Sequence, residues 1–186
     1  MGENRHEELQ QLRATAREYL ESPLSIPSAP DLRPCGSLLR LWVYPSFGDE
    51  VAWHIIRRGR TQPHLTVRRV WWRQQADAER LLDPLRGLRE GFHTTPAIEV
   101  RDRVLDAGAF ERCADRLSEI SVPLAIVSRG VSLDGTTFGI ELPEARALFE
   151  WWDAYAREWE PLIKWAGETR QWLEEVCGCG PSAEAR

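Results

Sequence analysis

The sequence predicts an α+β fold, in which a mainly antiparallel sheet carries helices packed on one face. Runs of β-forming residues follow one another across short turns, and runs with helical spacing of apolar residues interrupt and close the series. The 186 residues, 42% of them hydrophobic, are enough to bury one core without disulfides or metals. We expect an N-terminal helix and Pro-rich linker over residues 1–36, a single α+β domain over 37–176 and a flexible tail over 177–186.

The N-terminal segment predicts a polar amphipathic helix. Residues 3–21 place Leu9, Leu12, Ala16 and Leu20 at helical spacing. The helix is expected to end before Pro23, since proline disfavours helical backbone in the residue that precedes it. The next residues contain four prolines and read as a linker, so the helix is expected to be an appendage docked on the domain.

Three β runs open the domain. They cover residues 37–47, 50–58 and 64–73, are rich in β-branched and aromatic residues, and are separated by turns that contain Gly48 and Gly59. Short turns between consecutive strands are typical of antiparallel pairs. The pattern therefore predicts an antiparallel meander.

Two helices and a strand follow. Residues 75–90 carry leucines at helical spacing and predict a helix that Pro84 kinks or breaks. Residues 97–106 alternate apolar and charged side chains, as a half-exposed strand does. Residues 109–120 return to helical spacing.

The C-terminal part closes the sheet. Residues 122–133 and 136–142 read as strands joined by an Asp-Gly turn. The stretch FEWWDAYAREWEP, which begins at Phe149, fits both helical spacing and strand alternation. We favour a strand through about Trp152 that pairs with residues 136–142, and a final amphipathic helix over 159–176.

Composition limits the class of protein. The first 20 residues are charged throughout and lack the apolar region of a signal peptide, and no window approaches 18 apolar residues. The four cysteines are too sparse for a disulfide framework. We therefore expect a cytoplasmic protein with no membrane contact. The net charge of −5 is a poor match to nucleic acid and suits a basic partner.

Known catalytic and metal-binding patterns are missing from the sequence. It contains no G-x-S-x-G, HExxH, P-loop or GxGxxG motif. Cys177 and Cys179 form a Cys-x-Cys pair without further ligands at zinc spacing, and predict exposed thiols. Pairs of carboxylates around Asp102 (with Glu99 or with Asp106) are interpreted as solvated charges. We expect no enzymatic activity, no cofactor and no metal site.

One stretch resembles a nucleic-acid platform. Residues 57–73 carry six arginines and no acid, interleaved with Trp71 and Trp72, and arginine with exposed aromatics can hold single strands. The simpler interpretation is an Arg-rich face of a hairpin, paired with acids elsewhere. The net negative charge favours the simpler interpretation, so nucleic acid is an unlikely partner.

The acidity of the chain is concentrated in residues 141–160. Six carboxylates against Arg146 and Arg157 give this stretch a net charge of −4, out of −5 for the chain. Some of its aromatic residues are expected in the core, with the acids facing outward. An acidic patch rimmed by tryptophan would steer and anchor a basic partner. The candidate partner-binding residues are Glu141, Glu144, Glu150, Asp153, Glu158 and Glu160.

The C-terminal third carries a resemblance. At VSLDGTTFGIELPEARALFEWWDAYAREWEPLIKWAGETRQWLEE, from Val131 onward, the chain resembles Trp-rich α+β immunity proteins of bacterial polymorphic-toxin systems, and the earlier RVWWR has the same style. The resemblance implies a non-enzymatic inhibitor that binds a cognate restriction-endonuclease-like toxin, delivered by contact or by type VI secretion, in the cytoplasm. It implies no particular binding residues. The alternatives are a nucleic-acid-binding module that uses residues 57–73, or an enzyme with an unrecognised site.

Overall fold

The computed structural model of the protein describes residues 2–33, 35–59, 63–83, 95–123, 135–152 and 157–178. A short 3₁₀ turn at Arg157–Trp159 precedes the last helix of this part of the chain. The strands are β1 (Cys35–Pro45), β2 (Glu50–Arg58), β3 (His64–Trp72), β4 (Ile98–Leu105), β5 (Thr136–Leu142) and β6 (Ala147–Trp152). The helices are α1 (Gly2–Glu21), α2 (Gln74–Leu82), α3 (Ala107–Ser118) and α4 (Glu160–Val176).

The strands form one sheet in the order β4-β3-β2-β1-β5-β6, and every neighbouring pair is antiparallel. Strands β1 to β3 form the predicted meander, and β5 joins the free side of β1. The α+β class and the antiparallel sheet are therefore confirmed. Strand β6 pairs with β5 from Thr137 opposite Trp152 to Leu142 opposite Ala147, which confirms the strand predicted through about Trp152.

Helices α3 and α4 cover one face of the sheet. Side chains alternate along a strand, so Leu41 and Trp53 point to this face while their neighbours point to the other. They form a core with Leu162, Trp165 and Leu173 of α4. The apolar residues of α4 lie on one stripe of the helix, and this spacing is what predicts the final amphipathic helix.

Helix α1 covers part of the opposite face. Its Ala16 and Leu20 are buried against Trp42 and Trp72. The N-terminal helix therefore docks on the domain, as expected, and completes a second apolar layer of the core.

Charged side chains fasten this N-terminal segment. Glu50 is fully buried and accepts hydrogen bonds from Arg13 (2.9 Å) and Arg17 (3.1 Å) of α1. Arg68 donates to the carbonyl oxygens of Pro23 (2.8 Å) and Pro30 (2.6 Å) in the linker. Buried charges need such partners, because an unpaired one would lose its hydration without compensation. The linker is thus tied to the sheet at two points.

Several boundaries differ from the predictions or lie outside the described residues. Helix α2 ends at Leu82, two residues before Pro84, because proline disfavours helix in the residue before it. The prediction of a loose tail from residue 177 is wrong for Cys177, which is fully buried in the core that α4 forms with the sheet. The strand predicted over 122–133 and its Asp-Gly turn fall largely outside the described ranges.

Candidate functional site: an acidic edge of the sheet

The structure divides the six candidate acids into groups. Glu141 forms an ion pair with Arg40 at 2.9 Å, and Glu144 lies 3.7 Å from Arg57. Asp153 lies outside the described residues. The three others are exposed and have no ion-pair partner in the described part of the chain; they are Glu150, Glu158 and Glu160.

Strand β6 places Glu150 at the rim of the sheet. Among the strands that the structure describes, β6 is the last in the sheet order, and its burial alternates along its length. Phe149 and Trp151 face the core on the α4 side. Leu148, Glu150 and Trp152 face the opposite side and are exposed. Strand β6 therefore contributes to the core with one side and to the exposed surface with the other.

The exposed side of β6 is apolar at both ends. Leu148 is 63% exposed and Trp152 is 42% exposed, on either side of Glu150. All nine tryptophans lie in the described residues, and Trp152 is the only one in the exposed class. The other eight tryptophans are buried or half-buried in this fold. An exposed tryptophan close to an exposed leucine on the same strand therefore stands out as a surface feature.

An aromatic contact brings the other two acids to the same rim. Trp159 meets Phe149 of β6 edge to face, with ring centroids 5.7 Å apart. The Trp159 indole N–H also donates to the Pro123 carbonyl at 3.3 Å. Glu158 and Glu160 flank Trp159 in sequence, so they lie beside β6 on the α4 side. We name Leu148, Glu150, Trp152, Glu158 and Glu160, which lie on the two sides of this rim, the acidic edge.

The Arg-rich stretch over 57–73 is largely committed to internal pairs. Arg68 is buried and contacts Asp102 through two hydrogen bonds of 2.8 and 2.7 Å. Arg69 is also buried and pairs with Glu174 of α4 at 3.1 Å. These pairs match the simpler interpretation of the stretch, an arginine face satisfied by acids from elsewhere in the fold.

The two tryptophans of this stretch are also occupied. Trp72 is fully buried, and its indole N–H donates to Asp77 at 2.7 Å. Trp71 is half-buried, with the guanidinium groups of Arg69 and Arg73 at 4.7 and 4.6 Å from its ring centroid. Such cation–π contacts occupy the ring faces on which a base would stack.

The carboxylates considered for acid–base chemistry serve structural roles. Asp102 pairs with Arg68, and Glu99 accepts a 2.8 Å hydrogen bond from Arg101. Asp106 caps α3 by accepting a 2.7 Å hydrogen bond from the Ala109 N–H. The interpretation of these residues as solvated surface charges is corrected for Asp102, which is partly buried against Arg68.

His54 is a buried titratable group at the contact between α1 and the sheet. It is buried on β2, and its Nε2 lies 2.9 Å from the Leu20 carbonyl oxygen. Burial lowers the pKa of His54 to about 3, because the charged imidazolium would lose its hydration. A neutral histidine that donates to a carbonyl ties α1 to the sheet.

Sequence reasoning found the acids of this edge but missed Leu148 as a surface residue. The missed signal was strand alternation, which puts Leu148, Glu150 and Trp152 on one side once β6 is a strand.

Among the described residues, no three His, Cys, Asp or Glu side chains are grouped to hold a metal ion. None of the described helices combines the length and apolar composition needed to cross a bilayer. No protein-family model, curated protein or solved structure matches the chain.

Proposed function

We propose that this chain is an immunity protein that binds a cognate bacterial nuclease toxin in the cytoplasm and neutralises it by occlusion. The toxin belongs to a polymorphic-toxin system and is delivered by contact or by type VI secretion. The protein acts by binding alone, without enzymatic chemistry or a cofactor. The acidic edge is the surface that contacts the toxin.

The exposed pair Leu148 and Trp152 around Glu150 carries the proposal. Interface energy concentrates in a few large side chains that become fully desolvated on binding, and tryptophan is prominent among them. Two exposed apolar residues on one strand supply such anchors. In the free protein these two side chains leave apolar surface in water, which is unfavourable. A partner that covers them removes this surface from water.

Charge supports the same surface. Glu150, Glu158 and Glu160 have no described cation to neutralise them, so their field extends into solvent. A nuclease must bind a polyanion and therefore presents a basic surface around its active site. Opposite potentials steer the two proteins together and raise the association rate above the unsteered value. Fast capture suits an antidote that must act before the toxin cuts DNA.

The position of β6 adds a third contribution. An edge strand presents unpaired backbone N–H and C=O groups on its outer side. A strand of the toxin could pair there, with the side chains of the acidic edge setting the register. Glu150, a charge in the middle of this edge, also discourages pairing between copies of the chain.

The partner is identified by a pull-down from the native host with tagged protein, followed by mass spectrometry. The expected result is one stoichiometric partner with a nuclease domain, whose DNA cleavage is lost on adding one equivalent of this protein. Retention of oligonucleotide alone would instead favour the nucleic-acid alternative. Retention of a partner without nuclease activity would refute the proposal.

The surface is tested by surface plasmon resonance with the purified toxin. Charge reversal at Glu150, Glu158 and Glu160 should lower the association rate about tenfold or more at low salt, with a smaller effect at high salt. Replacing Leu148 and Trp152 by Ser should mainly raise the dissociation rate. A matched triple reversal at exposed acids elsewhere should change neither rate; it uses Glu18, Glu111 and Asp115. Equal effects of the two triple reversals would exclude the acidic edge.

A further inference from the structure

A cleft opens between α4 and the face of the sheet that α4 covers. Its volume is about 240 Å³, larger than the cavity of about 150 Å³ that accommodates benzene in an engineered protein core. Its floor is apolar and largely aromatic. The floor includes Leu41, Val43, Trp53, Phe138 and Trp151.

Helix α4 forms the other wall with one stripe of residues. Ile163, Gly167 and Arg170 follow at spacings of four and three, so they share a face of the helix. A Cβ atom built on Gly167 would meet no atom within 4 Å. Glycine inside a helix costs about 0.5–1 kcal/mol relative to alanine. The helix thus carries a destabilising residue at the point where a side chain would narrow the cleft.

Among the described residues that line the cleft, Arg170 is the one that carries a charge. Its side chain is exposed and lines the opening, and it forms no ion pair with any described residue. Other arginines near the sheet are paired, such as Arg69 with Glu174. An unpaired guanidinium beside an apolar floor fits a molecule with a negative group at one end and an apolar body at the other.

We propose that this cleft binds a small amphipathic monocarboxylate, with its carboxylate at Arg170 and an apolar body of roughly eight to ten carbons against Trp53, Phe138 and Trp151. The size follows from the volume, which exceeds that of one aromatic ring but is below the roughly 300 Å³ at which drug-sized sites begin. Gly167 keeps the space open for the body of the ligand. The proposal does not depend on toxin binding.

Octanoate is the probe, measured by isothermal titration calorimetry on the full chain. We expect one site with a Kd of about 1 mM or below, and a shift of the Gly167 amide NMR signal on binding. Octanol and octylamine, with the same apolar body, should bind more weakly than octanoate. Binding of all three with equal affinity would overturn the carboxylate assignment, and no binding of octanoate would overturn the site.

Three variants locate the ligand. Gly167→Leu should abolish octanoate binding by filling the cleft, and Gly167→Ala should weaken it less. Arg170→Gln should weaken octanoate about two- to fivefold, the effect of one exposed ion pair, and leave octanol unchanged. Arg112→Gln removes an exposed arginine of α3 as the control and should have no effect.

The helix variants keep the test decisive. Both replacements at Gly167 favour the helix, so lost binding cannot be ascribed to unfolding once urea denaturation shows retained stability. Undiminished octanoate binding by Gly167→Leu would place the ligand elsewhere and refute the proposal. Since toxin binding is measured separately with the variants of the acidic edge, failure of either proposal leaves the other intact.

Discussion

Gly139 and Trp42 form a close contact between two neighbouring strands of the sheet. They lie opposite each other on β5 and β1. A Cβ on Gly139 would stand 1.9 Å from Cζ2 of the Trp42 ring, well inside any possible contact. Gly139 lies between two strands, because its partner on the other side is Glu150 of β6. The backbone therefore cannot move away, and Gly139→Ala must displace the indole.

The cost can be worked from burial. Trp42 is only 3% exposed, and a buried tryptophan removes about 200 Å² from water, worth at most about 5 kcal/mol at 25 cal/mol per Å². Full expulsion would also break the contact of Arg40 with the indole, 4.4 Å from its centroid. Partial repacking recovers some of this energy. We expect Gly139→Ala to lower the free energy of unfolding by about 3 kcal/mol.

A double-mutant cycle in urea denaturation isolates the contact. Trp42→Ala alone should cost about 3–5 kcal/mol. Adding Gly139→Ala to it should cost less than about 0.5 kcal/mol, because the new methyl then meets no ring. Gly36→Ala on β1, whose Cβ would meet nothing within 4 Å, is the matched control. Additive losses, or a Gly139→Ala variant within about 0.5 kcal/mol of the parent, would refute this account of the contact.

Three further substitutions test other parts of the fold. Burial lowers the pKa of His54 from 6.5 to about 3, so the unfolded chain binds the proton first and stability falls as the pH drops below 6.5. His54→Gln should flatten that slope, which is at most about 1.4 kcal/mol per pH unit. Gly167→Ala should raise the free energy of unfolding by about 0.5–1 kcal/mol. Glu50→Gln should cost about 2–4 kcal/mol and speed amide exchange in α1, because Arg13 and Arg17 lose their shared carboxylate.

Each of these predictions has a control variant or a result that would refute it. His64→Gln, at an exposed histidine, should keep the parent pH slope, and an equally flat slope in both variants would remove His54 from the account. A urea midpoint of Gly167→Ala below that of the parent protein would refute the predicted stabilisation. Glu18→Gln on the exposed side of α1 should leave amide exchange unchanged; if Glu50→Gln does so as well, the buried cluster does not hold the helix.

Much of the fold was predictable because its information is local. The meander over β1 to β3 follows from β-forming runs separated by glycine turns. The ends of α1 and α2 follow from Pro23 and Pro84. The stretch from Phe149 was ambiguous, since its aromatic residues fit two periods. Pairing with β5 decided for the strand, and such pairing depends on residues remote in the sequence. For the same reason, the sequence could not reveal that the acid Glu50 is buried on β2 beneath α1.

The candidate site was predicted in charge but not in detail. The sequence shows that acidic residues are concentrated over 141–160. Which of these acids are neutralised depends on the register of the strands that pair with them. Arg40 lies directly opposite Glu141 in the β1–β5 ladder, so that acid is paired. No arginine lies opposite Glu150, whose neighbour is Gly139. The cleft was not foreseen at all, because a cavity is defined by residues from four strands and a helix.

The acidic edge and the cleft meet at β6, which has a consequence for both proposals. Trp152 belongs to the exposed side of the strand and also lines the cleft, whose floor includes its neighbour Trp151. A toxin seated on the edge and a carboxylate in the cleft would therefore both bear on Trp152. If occupancy of one site changes the affinity of the other, linkage requires the same factor in both directions. Toxin affinity with and without saturating octanoate, and octanoate affinity with and without toxin, should then shift by one common factor. A common factor of one would show that β6 holds the two sites independently, whereas unequal factors would mean that octanoate acts on the toxin itself.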